Sequence, residues 1–155
     1  MGDPRAMRQH LSTLIISTPG EGFTDISQAI NDRIASSGIG SGLATLHVMH
    51  TSCSLTINEN ADPRVLSDLA AYLRALVPVE GVRPISGQGS LRPYRHDDEG
   101  ADDMPAHIRT ALTSTTLSLS IQRGCLALGT WQAVYLWEHR SAAQRRQIGV
   151  HLLGE

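Results

Sequence analysis

The chain is poor in aromatic side chains: Phe, Tyr and Trp make up 4% of its 155 residues. Few stacking platforms are therefore available for single-stranded nucleic acid. It also lacks a basic excess. The formal net charge is −2, so no field exists to gather a polyanion such as DNA, and nucleic acid is not an expected partner. Cysteine is scarce: Cys53 and Cys125 are too few for a disulfide framework and form no CxxC pair, so two reduced thiols are expected. No stretch approaches the roughly 18 consecutive apolar residues of a membrane helix, and the opening MGDPRAMRQH has no apolar signal core. A cytoplasmic protein without a membrane partner is the expectation. Internal repeats and low-complexity tracts are missing too. The length suits one domain over residues 1–155, with residues 1–7 as a flexible lead.

What is present reads as alternating strands and helices. Residues 8–17 are apolar and β-branched at strand length, and Thr18, Pro19 and Gly20 stop them. Thr24 is placed to cap a helix whose apolar positions Ile26, Ala29, Ile30 and Ile34 run to Gly38. Residues 43–50 alternate, with Ala44, Leu46, Val48 and His50 on one face. Residues 54–58 form another short strand. Asp62 and Pro63 then open an amphipathic helix carrying Val65, Leu66, Leu69, Leu73 and Leu76 on one side, and Pro78 ends it. A long connection rich in Gly, Pro and Arg follows, and loops of that length tend to be disordered or functional. Asp103 can cap a third helix with Pro105 in its first turn, burying Ile108, Ala111 and Leu112. Residues 115–122, 125–128, 130–139 and 147–153 supply four more strands. The pattern is α+β, one domain of antiparallel or mixed sheets with about three helices.

The long connection ends in HDDEGADDMPAH, which places Asp97, Asp98, Asp102 and Asp103 between two histidines. With His50, the imidazoles of His96 and His107 are candidates for a metal site that leaves one position open. Their spacing matches no standard zinc motif, and a solvated acidic loop accounts for the same residues. His50 and Cys53 would face opposite sides of an extended strand, so Cys53 is read as a buried, inert thiol. Thr51 and Ser52 can hold an anionic oxygen at the turn. Glu59 lies between two asparagines at a strand end, where helix capping competes with a site role. Glu138 sits on a strand apolar on both faces and so needs a partner, a metal or a cation. Arg140, Arg145 and Arg146 form either a phosphate-binding group or a solvated charge cluster.

Taken in order, HTSCSLTINENADP, HDDEGADDMPAHI, GTWQAVYLWEHR and the closing LLGE resemble the YjbQ-like family of small bacterial and archaeal proteins, associated with a secondary thiamine-phosphate synthase activity. The resemblance runs from about residue 8 to residue 155. It implies an α+β fold built around a β-sandwich, a homotrimer, and a polar metal-binding pocket near a subunit interface. By position it implies His50, His96 and His107 as ligands of a divalent ion, zinc or magnesium. It further implies Glu59, Asp103 and Glu138 as catalytic carboxylates, with Thr51, Ser52 and Arg140 on the phosphate. Cys53 departs from the family pattern, which has alanine there, and this counts against a thiol nucleophile. The expected activity is a metal-dependent reaction on a phosphorylated small molecule. The alternatives are a trimeric metal- or ligand-binding module without significant catalysis, and a metal-dependent phosphohydrolase.

Overall fold

Alternation of apolar and polar residues sets the architecture, as seen in a computed structural model that describes residues 6–155. Of the expected flexible lead, residues 1–5 lie outside the described residues; Ala6 and Met7 are exposed coil. The strands are β1 (Arg8–Thr18), β2 (Gly22–Asp25), β3 (Ser41–Val48), β4 (Cys53–Glu59), β5 (Thr116–Gln122), β6 (Cys125–Leu126), β7 (Gln132–Glu138) and β8 (Gln144–Gly154). The helices are α1 (Ser27–Ser37), α2 (Pro63–Leu76) and α3 (Asp103–Leu112). Five strands form one sheet in the order β1-β8-β3-β5-β6, and three form a second in the order β2-β7-β4. Every pairing is antiparallel. The fold is α+β with three helices, as the sequence pattern leads one to expect.

Period-two patterning puts Ala44, Leu46 and Val48 of β3 inside while Leu43 and His47 stay outside. The inward faces of the two sheets share one core, in which Leu46, Ile148 and Val150 join Leu55, Val134 and Leu136. Helix α1 closes that core with Ile30 and Ile34, both fully buried. Each such side chain contributes about 1.5–3 kcal/mol of burial. Gly38 ends α1 in the left-handed conformation, where a residue without Cβ is unstrained. No helix among the described residues is long and apolar enough to cross a membrane.

Several local expectations need correction. Thr24 does not cap α1; it belongs to β2, a four-residue strand too short to show a period, and Asp25 Oδ1 instead accepts the Ser27 N–H at 2.9 Å. Asp62 does cap α2, accepting from the Arg64 N–H. Of the α2 stripe only Leu73 is buried, and Leu76 is exposed. Asp103 is not a cap either: Asp102 precedes α3 without a side-chain cap bond, and Asp103 is buried in the first turn. The buried side of α3 is Asp103, Pro105, Ala106, Arg109 and Thr110, whereas Ala111 and Leu112 are exposed. Helical periodicity alone favoured the apolar stripe. Tertiary partners for Asp103 and Arg109 turned the helix the other way.

The two sheets are tied by a buried ion pair. Arg146 of β8 donates through Nε to Glu138 Oε2 of β7 at 2.7 Å and through Nη2 to the other carboxylate oxygen, and Thr18 Oγ1 of β1 donates to Oε2 at 2.8 Å. Glu138 has no exposed surface. Burial raises its pKa, but the hydrogen bonds from Arg146, the Arg140 N–H and Thr18 more than offset this, and the carboxyl sits below its ordinary range. Removing one partner leaves the other charge buried and unpaired, which costs about 3–5 kcal/mol. Arg146→Met should therefore lower stability by about that amount in urea denaturation; a loss under 1 kcal/mol would show that the pair does not hold the sheets together.

Candidate metal centre

The turn between β3 and β4 and the start of α3 are fastened to each other. Thr51 gives its carbonyl to His107 Nδ1 at 2.9 Å, and Ser52 gives its carbonyl and hydroxyl to Arg146 Nη2 at 3.2 and 2.9 Å. On the other side, Arg140 lies two residues past the end of β7 and holds the approach to α3. It donates from Nε to Asp102 Oδ2 (3.1 Å), from Nη1 to Asp103 Oδ1 (2.7 Å) and from Nη2 to the Glu99 carbonyl (2.8 Å). Asp102 also accepts from the Ser141 N–H and hydroxyl. Burial works against its charge, yet these donors and Arg140 prevail and hold its pKa at about 2.

Within this frame His96, Asp103 and His107 converge, one ligand atom from each lying within 4.8 Å of the others. Asp103 Oδ2 is 2.8 Å from His96 Nε2 and 3.3 Å from His107 Nε2. The Thr51 carbonyl can only accept, so Nδ1 of neutral His107 carries the proton and Nε2 presents a lone pair. That lone pair faces a carboxylate oxygen. Two acceptors this close are unfavourable unless a proton or a cation lies between them. Ligands about 2.1 Å from a tetrahedral ion lie roughly 3.4 Å apart, close to the 3.3 Å between Asp103 Oδ2 and His107 Nε2, whereas His96 Nε2 stands at hydrogen-bond distance from the same oxygen. Two imidazoles and a carboxylate with open positions are a donor set suited to zinc and similar ions more than to magnesium.

The other candidate residues are distributed differently. His50 is outside this cluster, its Nε2 accepting the Gln147 backbone N–H at 2.7 Å. Glu59 pairs with Gln132 at one end of the small sheet, while Cys53 and Glu138 pair at the other, six residues away along β4. Glu138 serves the ion pair, with both oxygens engaged. The Ser52 hydroxyl is taken by Arg146, Thr51 keeps an exposed side chain, and Arg140 is committed to carboxylates. The arginine trio is split, since Arg146 is buried and Arg145 is exposed. Cys53 is buried as expected, and burial pushes its thiol up to about 11, which suits an inert residue. Sequence reading missed Ser141 as a support of Asp102 and the pairing of Ser54 with His139, because neither has a spacing signal.

Residues 12–155 match the family described as UPF0047 protein YjbQ-like. A UPF0047 protein of Synechocystis is 48% identical over 96% of this chain and 94% of its own length. The UPF0047 protein YjbQ of Salmonella typhimurium is 38% identical, covering 92% of this chain and 96% of its own. Among solved structures, a conserved hypothetical protein from Thermus thermophilus superposes with a TM-score of 0.74 at 35% identity, covering 91% of this chain and 98% of that one. A YbjQ-like protein of unknown function from Sulfolobus solfataricus reaches 0.80 at 22% identity, over 97% and 100%, a likeness of fold.

Immediately after β7 comes a buried imidazole, His139. His139 Nε2 is 2.8 Å from the Ser54 hydroxyl, and Nδ1 has no protein partner. Burial, then the positive charges of Arg109 and Arg146, outweigh Glu138 and pull its pKa down to about 4. The unfolded chain binds this proton near pH 6.5, so below that pH it takes up more protons than the folded one. The stabilising effect of keeping His139 neutral is complete above about pH 6.5 and is lost as pH falls toward 4. The expected loss is up to about 3 kcal/mol between those limits. Urea denaturation at several pH values should show this slope, and His139→Gln should flatten it; an unchanged slope in the variant assigns the acid sensitivity elsewhere.

Proposed function

The chain belongs to the UPF0047 YjbQ-like family, and on that premise we propose that it is a metal-dependent enzyme of the cytoplasm acting on a phosphorylated small molecule. The observation that carries this reading is the convergence of His107 Nε2 and His96 Nε2 on one oxygen of Asp103, with the Thr51 carbonyl occupying His107 Nδ1. A divalent ion of zinc type, held by His96, Asp103 and His107, would stabilise negative charge growing on a phosphate or diphosphate oxygen. The chain's own part is orientation. Thr51 fixes the His107 tautomer, and Arg140 holds Asp103 by its other oxygen. Bonds of this kind around ligands typically change metal affinity or activity 10–100-fold when lost.

The candidate transferase reaction is thiamine-phosphate formation, in which a hydroxymethylpyrimidine diphosphate joins a thiazole phosphate and pyrophosphate leaves. Phosphate-ester hydrolysis draws on the same residues. Arg140 and Arg146 are not free for the phosphate, because both are neutralised by carboxylates. The Thr51 hydroxyl, on an exposed residue, is a neutral donor for substrate oxygens.

The assembly we propose is a homotrimer. On the outward face of the five-stranded sheet Leu11, Ile15, Leu43, Met49 and Leu153 are exposed, and the His47 ring lies over Gly149, where any side chain would collide. From Gln9 to Ile15 on β1 and from Gln147 to Leu153 on β8 that face has no charged residue other than histidine. An uncharged, half-apolar sheet face of this size signals a partner surface.

Two measurements check these readings. Elemental analysis after zinc dialysis should find about one ion per chain, lost in His107→Ala and Asp103→Asn, with turnover on the two thiamine precursors lost in parallel. Undiminished turnover in chelator-treated protein and in both variants would remove the metal mechanism. For the assembly, light scattering should give three times the 16.7 kDa chain mass, and Leu11→Arg with Ile15→Arg should give the chain mass. A monomeric wild type overturns the trimer.

A further inference from the structure

The turn between β3 and β4 is pinned at three successive residues. Thr51 and Ser52 are held through their carbonyls, and His50 through its ring. The donor to His50 Nε2 is a backbone N–H, which can only donate, so Nε2 is unprotonated and the neutral ring has its proton on Nδ1. His107 is in the same tautomer but is used the other way round. There Nδ1–H is spent on the Thr51 carbonyl and the lone pair is free. In His50 the lone pair is spent and Nδ1–H is free: among the described residues it has no protein acceptor and is not sealed from solvent.

We infer that His50 is a neutral hydrogen-bond donor to a phosphoryl oxygen of the substrate, placed beside the His96, Asp103 and His107 cluster with the Thr51 hydroxyl, and is neither a ligand of the ion nor a base. The inference rests on the metal-centre reading and adds to it the means of oxyanion recognition. For His50 to offer Nε2 to an ion, the ring must release the Gln147 N–H next to the last β3–β8 pair, Val48 with Ile148, and leave that donor unpaired. For it to act as a base, the ring must protonate and lose the same bond. Burial, then Arg146, already lowers its pKa, so the neutral ring persists. Its neighbour Thr51 is 2.9 Å through its carbonyl from His107 Nδ1, which ties this segment to one residue of the cluster. With Arg140 and Arg146 committed to Asp102, Asp103 and Glu138, a fixed neutral donor on the 50–52 turn suits an anionic oxygen.

The test is imidazole nitrogen-15 NMR on histidine-labelled, metal-depleted protein, followed by additions of zinc and then inorganic phosphate. His50 should show a protonated Nδ1 and a bare Nε2 before and after zinc, while the His96 and His107 nitrogens shift. Phosphate added to the zinc-loaded protein should then move the His50 Nδ1–H signal. His50→Gln keeps an acceptor for Gln147 and deletes the Nδ1 donor, so it should bind phosphate roughly 10-fold more weakly with zinc stoichiometry unchanged. His50→Asn places an amide N–H where Nδ1–H stands and should stay within about 3-fold of wild type. A zinc-induced shift of His50, or zinc lost from His50→Gln, makes it a ligand and overturns the proposal. So does equal phosphate affinity in His50→Gln, or an unmoved His50 signal at saturating phosphate. Zinc that leaves His96 and His107 unchanged removes the metal centre and this proposal together, whereas a His50 failure alone leaves the centre standing.

Discussion

The ion pair of Glu138 and Arg146 fixes the relation between the two sheets, and the candidate site inherits its geometry from that pair. Glu138 ends the central strand of the small sheet, and Arg146 stands near the start of β8 in the large one. The same carboxylate accepts the Arg140 N–H, and the same guanidinium grips Ser52. One charged contact thereby sets the direction of Arg140, which holds Asp102 and Asp103, and the position of the 50–52 turn, which holds His107. Buried pairs of this kind often add little net stability over an apolar replacement. Their effect here is registry, since an apolar pair would fill the space but orient neither Arg140 nor Ser52.

The polar face of α3 follows from the same arrangement. Asp103 is 2% exposed in its side chain while His96 and His107 are 47% and 31% exposed, so the anchor is buried and the groups it orients reach solvent. Arg109 extends beneath the helix to the Val77 carbonyl and toward Glu21. Apolar packing of Ile108 and Leu112 would have been the ordinary choice for this amphipathic segment. The helix accepts the cost of burying Asp103 because the His96 imidazole and the Arg140 guanidinium hydrogen-bond its two oxygens.

Much of this was legible in the sequence, and the part that was not has a physical explanation. The strands β1, β3 and β4 and the helices α1 and α2 announce themselves because a buried face imposes a period of two or 3.6 on neighbouring residues. His96 and His107 were identifiable from the chemistry of the segment that contains them, since they are eleven positions apart in one acidic stretch. His50 was grouped with them as a third imidazole at a strand end and again by family position, and nothing in its neighbours reveals that Gln147, 97 residues later, takes its Nε2. Sheet pairing is non-local and leaves no local mark. For the same reason Glu59 and Glu138, both carboxylates at strand ends, could not be separated until β4 and β7 were seen to run antiparallel, which puts them at opposite ends of one sheet. The strand β2 is shorter than the window in which a period can be recognised.

Tautomer control unites the candidate site. A histidine offers a lone pair or a proton according to which ring nitrogen the protein occupies, and the backbone settles this without titratable partners. A carbonyl on Nδ1 makes His107 an electron-pair donor, and an amide N–H on Nε2 makes His50 a proton donor. The Thr51 carbonyl and the Gln147 N–H do not titrate, so each neutral ring keeps its assignment. Side-chain carboxylates in their place would favour the imidazolium and erase the distinction. Asp103 touches His107 and His96, not His50, and meets both at Nε2. An ion bound there competes with protons for the same nitrogens, which makes occupancy of the site depend on pH.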